Sequence, residues 1–349
     1  CMMTFRSLFL LATYSCAAFA AVPQVKLCGY DDCPLVSRIG MGALHLGDSI
    51  SGLSTVDDVQ AWIEKAYSLG ITLFDLADVY PVKGGDSGSS AELFGQALAN
   101  TGLRDKITIV GKMGIVFPSA VDTTRKHLQS TLDWYLQVLQ TDHIDLLLIH
   151  YSDAFMNATE VAEFFVDMKA AGKVTHFGVS NHFPSKFNLL QKTLDATGSG
   201  IKLVTHEFEA SVWNPGYLDY NSALADHAYE NNLHPLAWCP LGGDPLGGLN
   251  RLFVRKGDRQ TKILRALKDV GKDMGIKDES VTALVWLLSH PLGFIPLLGT
   301  TNLDRMAQQV EAMDFVGSMS NEQWWSIAGK GGVCAYGDSQ CNYDEYKAY

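Results

Sequence analysis

Residues 145–180 read DLLLIHYSDAFMNATEVAEFFVDMKAAGKVTHFGVS. Two short apolar runs, Asp145–His150 and His176–Ser180, flank a helix-length segment. Within that segment Val161, Phe164, Phe165 and Met168 recur at i, i+3, i+4 and i+7, one face of a helix. Gly172 then supplies a stop. The runs predict strands of the parallel type, buried on both faces and joined by a crossover helix.

The same alternation begins at Ser37 and extends through most of the chain. The other strand candidates are Ile39–Ala43, Ile71–Asp75, Ile107–Gly111, Leu203–Glu207, His234–Trp238 and Phe294–Gly299. Leu128, Leu132, Tyr135, Leu136 and Leu139 predict a helix that Asp122 could cap, and Ser54 and Thr55 precede one ending near Gly70. Val281 to Leu288 predicts another, halted by Pro291. Eight strand–helix repeats predict an α/β fold, a (β/α)8 TIM barrel with an N-terminal β-hairpin capping the barrel bottom. A doubly wound sheet is the competing architecture. It fits less well, because no G-x-G-x-x-G turn opens a helix after the first strand.

The chain has 349 residues and a formal net charge of −11, which argues against nucleic acid or an anionic membrane as a partner. No apolar run after residue 22 is long enough to span a bilayer. Arg6, the apolar stretch from Leu8 to Phe19 and the small residues Ala18 to Ala21 have the pattern of a secretory signal peptide, residues 1–21. An ordinary apolar extension is the alternative, and the segment also resembles the signal-like start of some algal plastid leaders. Secretory pathway or plastid is thus the expected destination. Residues 24–330 form the expected barrel and 331–349 a tail. Cys28 and Cys33, and Cys334 and Cys341, form two close pairs that suit disulfides in an oxidising compartment, or equally free thiols.

Barrel active sites lie at the C-terminal ends of the strands. Asp75, Lys112, His150, Ser180 and Asn181 stand at such ends, and Tyr80 follows Asp75 by five residues. Carbonyl reduction needs a proton on oxygen as well as hydride on carbon. A tyrosine can give that proton, and an adjacent ammonium is expected to lower its pKa. A carboxylate offsets the cost of burying the ammonium, and a histidine can orient the carbonyl. Singly, each has a plainer explanation: a buried Asp–Lys staple, a packing tyrosine, a core histidine. Together at one rim they form a complete set for general-acid carbonyl reduction.

Residues 70–80, GITLFDLADVY, resemble the signature around the catalytic Asp and Tyr of the aldo-keto reductases. Residues 109–112, IVGK, 145–150, DLLLIH, and 172–181, GKVTHFGVSN, are similar to three further motifs of that family. The resemblance covers about residues 24 to 330. It implies Tyr80 as general acid, Lys112 and Asp75 as its tuning pair, and His150 as the group that orients substrate. It further implies NADPH/NADP as cofactor, NADH less so, held by Gly42, Ala43, Ser180, Asn181, Glu207, Trp238, Cys239, Leu241, Gly242, Gly299, Thr300, Thr301, Asn302 and Arg305. Trp238 would stack on the nicotinamide, Gly242 and Gly243 would admit the pyrophosphate, and Arg305 would meet a 2′-phosphate. No metal is expected, and the partner is a small-molecule carbonyl compound.

Three departures stand out. His206-Glu207 replaces the family's usual Asn-Gln, a Lys common near Asn302 is absent, and a leader is unusual in a mostly cytosolic family. An ionised Glu207 would favour the cationic, oxidised cofactor. A non-catalytic nicotinamide-nucleotide-binding barrel, acting as a sensor or channel-associated subunit, is the rival reading. The substrate loops Leu44–Leu46, Val116–Phe117, Tyr151 and Gly242–Arg259 suggest an apolar carbonyl compound.

Overall fold

A computed structural model describes residues 21–48, 52–81, 88–116, 120–218, 223–243 and 257–333. The predicted leader through residue 20, the Cys334–Cys341 pair, Phe117 and residues 244–256 of the long loop lie outside the described residues.

The first two strands, β1 (Gln24–Lys26) and β2 (Leu35–Ser37), form an antiparallel hairpin with Val25 opposite Val36. The next strands are β3 (Gly40–Gly42), β4 (Leu73–Ala77) and β5 (Thr108–Met113), followed by a small antiparallel ribbon of β6 (Ile115–Val116) and β7 (Ala120–Val121). Then come β8 (Ile144–Ile149), β9 (Val174–Ser180), β10 (Leu203–Glu209), β11 (Leu236–Trp238) and β12 (Ile295–Leu298). Strands β3, β4, β5, β8, β9, β10, β11 and β12 close into one parallel barrel, β12 pairing back onto β3. The eight predicted repeats are these strands and their crossover helices. The crossovers include α1 (Val56–Ser68), α2 (Ser89–Thr101), α3 (Arg125–Val138), α4 (Ala158–Ala170) and α5 (Pro184–Ala196). They continue with α6 (Leu224–Glu230), α7 (Asp258–Met274) and α8 (Glu279–Leu288); α9 (Leu303–Val310) follows the last strand and α10 (Asn321–Gly331) comes after it.

The strands are apolar on both faces because the barrel interior and the helix ring each need a dry side. On β8, Leu146, Leu147, Leu148 and Ile149 are all buried. On α4, Val161, Phe164, Phe165 and Met168 are buried against the barrel, with Phe165 stacked on Phe177 of β9 at 4.2 Å between ring centroids. Asn157 caps α4, its side-chain oxygen accepting from the amides of Thr159 and Glu160. That capping role gives Asn157 a structural reason to be there.

Two local expectations need correction. Thr124, not Asp122, caps α3; Asp122 instead accepts the Thr124 amide at 2.8 Å, because the helix starts two residues later than its spacing suggested. Strands β4, β5 and β10 also run two residues past their predicted ends, so Asp75 and Glu207 lie within strands rather than at their tips. Polar residues can continue a buried ladder where their side chains neutralise one another, as they do here.

The hairpin closes the bottom of the barrel, where strands begin. Arg38 donates its amide to Pro23, and His234, just ahead of β11, donates to Leu27. The Arg38 guanidinium donates to the carbonyl oxygens of Gly293, Phe294 and Leu288, pinning the β12 entry. Cys28 and Cys33 are joined by a disulfide, with Cα atoms 5.6 Å apart, so this pair is the disulfide rather than two free thiols. Among the described residues no helix is long and apolar enough to cross a membrane.

Candidate active site

Strand register assembles the site. Gly42 of β3 pairs with Asp75 of β4, Ala77 of β4 with Lys112 of β5, and Ser180 of β9 with Glu207 of β10. Residues two apart share a face, so Asp75 and Lys112, whose ladder positions are two steps apart, both reach inward. Lys112 Nζ donates to both oxygens of the Asp75 carboxylate, at 2.5 Å to Oδ1, and lies 3.1 Å from Glu207 Oε1. All three side chains are buried. Lys112 is thus held between two carboxyl groups, where the sequence suggested one.

Tyr80 sits in the loop after β4. Its amide donates to Ala77 and its carbonyl accepts from Ser90, at the start of α2. The Lys112 ammonium lies 5.2 Å from the centre of the tyrosine ring. His150, buried just past β8, meets that ring edge-on at 6.1 Å between centroids. Asp75, Tyr80, Lys112 and His150 therefore form one cluster at the C-terminal mouth, as expected from their strand positions.

The electrostatics differ from expectation at Tyr80. Burial pushes its phenol above the ordinary value; Lys112 opposes that push, while Asp75 and Glu207 add to it. The expected net lowering by Lys112 does not occur, because desolvation is the larger effect and two carboxyl groups share the ammonium. Tyr80 is accordingly a protonated phenol, a donor, at neutral pH. Burial, with Lys112 reinforcing it, keeps His150 well below its ordinary value and so neutral. Burial and the proximity of Asp75 push Glu207 up to about 8, against Lys112. Near pH 7 that favours the neutral acid over the ionised form whose effect the sequence raised as a possibility.

The residues assigned to cofactor binding fall into two groups. In the first, Asn181 takes a left-handed φ of 53° directly after β9, and its side-chain nitrogen donates to Ser180 Oγ at 3.0 Å and to the His150 carbonyl at 3.2 Å. Its side-chain oxygen accepts from Trp238 Nε1 at 2.9 Å, which fixes the half-buried indole at the end of β11. Cys239 has a φ of 48° and begins a turn closed by the Gly242 amide on its carbonyl. Leu241 is half-buried within that turn. Gly242 has a φ of 68°, and a Cβ there would lie 2.5 Å from Trp213 Cβ, so glycine is required by packing as well as backbone. Gly42 and Ala43 join this side of the mouth, the Ala43 amide donating to the backbone carbonyl of Asp75.

The second group lies beyond β12. Gly299, Thr300 and Thr301 lead to Asn302, which caps α9 by accepting the Arg305 amide at 2.8 Å. The Thr300 carbonyl accepts from Trp62 of α1 at 3.0 Å. Arg305, the third residue of the helix, is exposed.

Several supporting residues had no sequence signal beyond core periodicity. Tyr135 of α3 donates its hydroxyl to the Lys112 carbonyl at 2.8 Å, and Asp78 accepts the Gly114 amide at 3.1 Å while its own amide donates to Lys112. Behind β10 three buried histidines, His182, His206 and His227, pack together: the His182 amide donates to His206 Nε2, and the His206 and His227 rings are 6.1 Å apart. Among the described residues no group of His, Cys, Asp or Glu is arranged to hold a metal.

Those histidines predict acid lability. Burial lowers His150, His182, His206, His227, His234 and His290, with His182 at about 4. A histidine with a depressed folded-state pKa takes its proton first in the unfolded chain. Its stabilising effect is complete above pH ~6.5 and is lost as pH falls toward 4. Buried His182 alone is worth up to about 3 kcal/mol. Raised Asp75, Asp78 and Glu207 act oppositely but are fewer. The thermal midpoint should fall between pH 6.5 and 4.5, and less so in His206→Asn; equal falls would exclude His206 as a contributor.

A closed parallel barrel with a buried Asp–Lys pair beneath a tyrosine and a histidine defines a class of enzyme-like site, and comparison with known proteins agrees. The model of the Aldo/keto reductase family matches residues 38–330. A protein named 6-dehydroglucose reductase from Agrobacterium fabrum is 35% identical over 306 residues, covering 84% of this chain and 93% of its own length. Oxidoreductase YdhF of Escherichia coli is 34% identical over 304 residues, with coverages of 84% and 93%. A Bacillus subtilis protein, named as the uncharacterized oxidoreductase YcsN, is 33% identical over 277 residues, with coverages of 76% and 85%. The chain belongs to the Aldo/keto reductase family. It is an oxidoreductase.

Proposed function

We propose that this chain, through a barrel spanning residues 24–330, reduces an aldehyde or ketone to an alcohol with NADPH. The observation that carries the reading is the buried Lys112–Asp75 pair beneath Tyr80, with neutral His150 across the ring. The residues present suit a phosphorylated dinucleotide: a hydroxyl at Ser180, the half-buried indole of Trp238, and an exposed Arg305 at a capped helix start. Ser180 and Asn181 would hold the carboxamide, Trp238 would stack on the ring, and the N-terminus of α9 with Arg305 would take the 2′-phosphate. When bound, the reduced nicotinamide supplies hydride to the carbonyl carbon.

The chain's own residues do the rest. His150 orients the carbonyl oxygen by a hydrogen bond. Tyr80 delivers the proton to that oxygen. Lys112 stabilises the phenolate that results, and Asp75 keeps Lys112 charged and in place. The rim supplies Leu44, Val116 and Tyr151, and this composition favours an apolar carbonyl compound.

Titration with NADPH should quench tryptophan fluorescence, and an aromatic aldehyde should then oxidise the bound NADPH. Binding without turnover would indicate a nucleotide-binding barrel with a sensor or channel-associated role. No binding would defeat both readings.

A further inference from the structure

Lys112 has more carboxyl groups than its single charge needs. Asp75 grips the ammonium with both oxygens, whereas Glu207 offers only Oε1, at 3.1 Å. Glu207 Oε2 is buried and accepts no hydrogen bond. Were both carboxyls ionised, the trio would carry a net negative charge in a desolvated barrel, which is costly. One proton removes that cost. The more weakly held carboxyl, with a vacant oxygen, is the one to carry it. Glu207 also lies among the nicotinamide-side residues: it pairs with Ser180 across the ladder, and its carbonyl accepts the Asn181 amide.

From this arrangement we infer that Glu207 is a proton-holding positioning residue, which releases its proton when a positive charge enters the site and so ties the choice between oxidised and reduced cofactor to pH. The inference rests on the nicotinamide reading proposed above. With Glu207 protonated, the trio is neutral and both cofactor forms meet the same field. With Glu207 ionised, the added negative charge favours the cationic ring of NADP over the neutral ring of NADPH. The same charge makes Tyr80 hold its proton more tightly, which slows proton delivery to a carbonyl.

Among the described residues, the ionisable groups facing Glu207 from other elements are Asp75 from β4, Lys112 from β5, Tyr80 from the loop after β4 and Tyr151 from the loop after β8. Burial raises both tyrosines, so neither competes for the release. Its chain neighbour His206 belongs to the histidine group behind β10, on the strand's other face. Glu207 itself is pushed up to about 8, within reach of an ordinary pH series.

The test is isothermal calorimetry of the full chain with NADP and NADPH, from pH 6.5 to 9, in buffers of different ionisation enthalpy. NADPH carries the same phosphates without the ring charge and is the internal control. NADP binding should release close to one proton more than NADPH binding at pH 7, the excess vanishing above pH ~8.5. The Kd for NADP should fall by up to about tenfold per pH unit until Glu207 has ionised. In Glu207→Gln the excess release should be absent, while Glu207→Asp, which can still titrate, should restore it. Equal proton release for the two cofactors in the parent chain overturns the inference, as does an undiminished excess in Glu207→Gln. Binding of both cofactors with no such excess leaves the nicotinamide reading standing. Failure to bind either one removes both.

Discussion

Tyr80→Phe should abolish carbonyl reduction while leaving cofactor binding nearly unchanged. Removing a positioned proton donor costs about 10²- to 10⁴-fold in turnover. Phenylalanine fills the same ring volume against His150 and over Lys112, so the fold should tolerate the change. The informative readings are turnover with a generic aromatic aldehyde and the fluorescence Kd for NADPH, in parent and variant. A variant that keeps more than a tenth of parental turnover would remove Tyr80 as the general acid. The pH profile adds a separate check. Burial holds the Tyr80 phenol above its ordinary value, so reduction should show no loss from tyrosine ionisation below pH 9. A decline near pH 8 that disappears in Glu207→Gln belongs to Glu207, pushed up to about 8; one that persists there belongs to another buried carboxyl, such as Asp78 at about 7.

Lys112→Met should be the most damaging single change to stability. Lys112 is 1% exposed and lies between Asp75 and Glu207 in the barrel interior. Methionine matches its length without its charge, leaving two facing carboxyl groups with no cation. Breaking a buried pair by removing one partner costs about 3–5 kcal/mol. The loss must also follow pH with a definite sign. A carboxyl whose pKa is raised in the fold keeps its proton there while the unfolded chain has lost it, so stability declines as pH rises from the unfolded value toward the folded one. Urea unfolding of Lys112→Met should therefore show a larger deficit at pH 8 than at pH 5. The triple change Lys112→Met, Asp75→Asn, Glu207→Gln should recover much of it. A deficit that does not depend on pH would show that packing, not charge, is what Lys112 contributes.

Much of the architecture was legible because a parallel barrel writes its period into the chain. Strands buried on both faces must be apolar throughout, and crossover helices must turn an apolar stripe inward, so residues 145–180 already state the repeating unit. The mouth was legible too: Asp75, Lys112, His150 and Asn181 are polar residues late in apolar runs, and such residues survive burial only when paired. The boundaries were less legible. Strands β4, β5 and β10 continue through charged residues, since the backbone ladder does not stop where side chains become polar. The shift of the α3 cap from Asp122 to Thr124 has the same character, as both are good capping types and only the turn geometry chooses between them.

Glu207 shows where linear reading ends. Its replacement of a commoner glutamine was visible as a possible charge beside the cofactor. Its contact with Lys112 was not, because the two are 95 positions apart in the chain and meet only when the barrel closes. Tyr80 is similar: a nearby ammonium suggested a lowered pKa, but desolvation and a second carboxyl reverse the direction. Sequence alone determined the barrel, the order of its units and the four residue types at its mouth, since periodicity and side-chain chemistry are local properties. Tertiary structure alone decided which groups share the ammonium, which one carries the spare proton, and whether Tyr80 is donor or phenolate. Those outcomes depend on distance and dielectric, and neither exists until the strands are brought side by side.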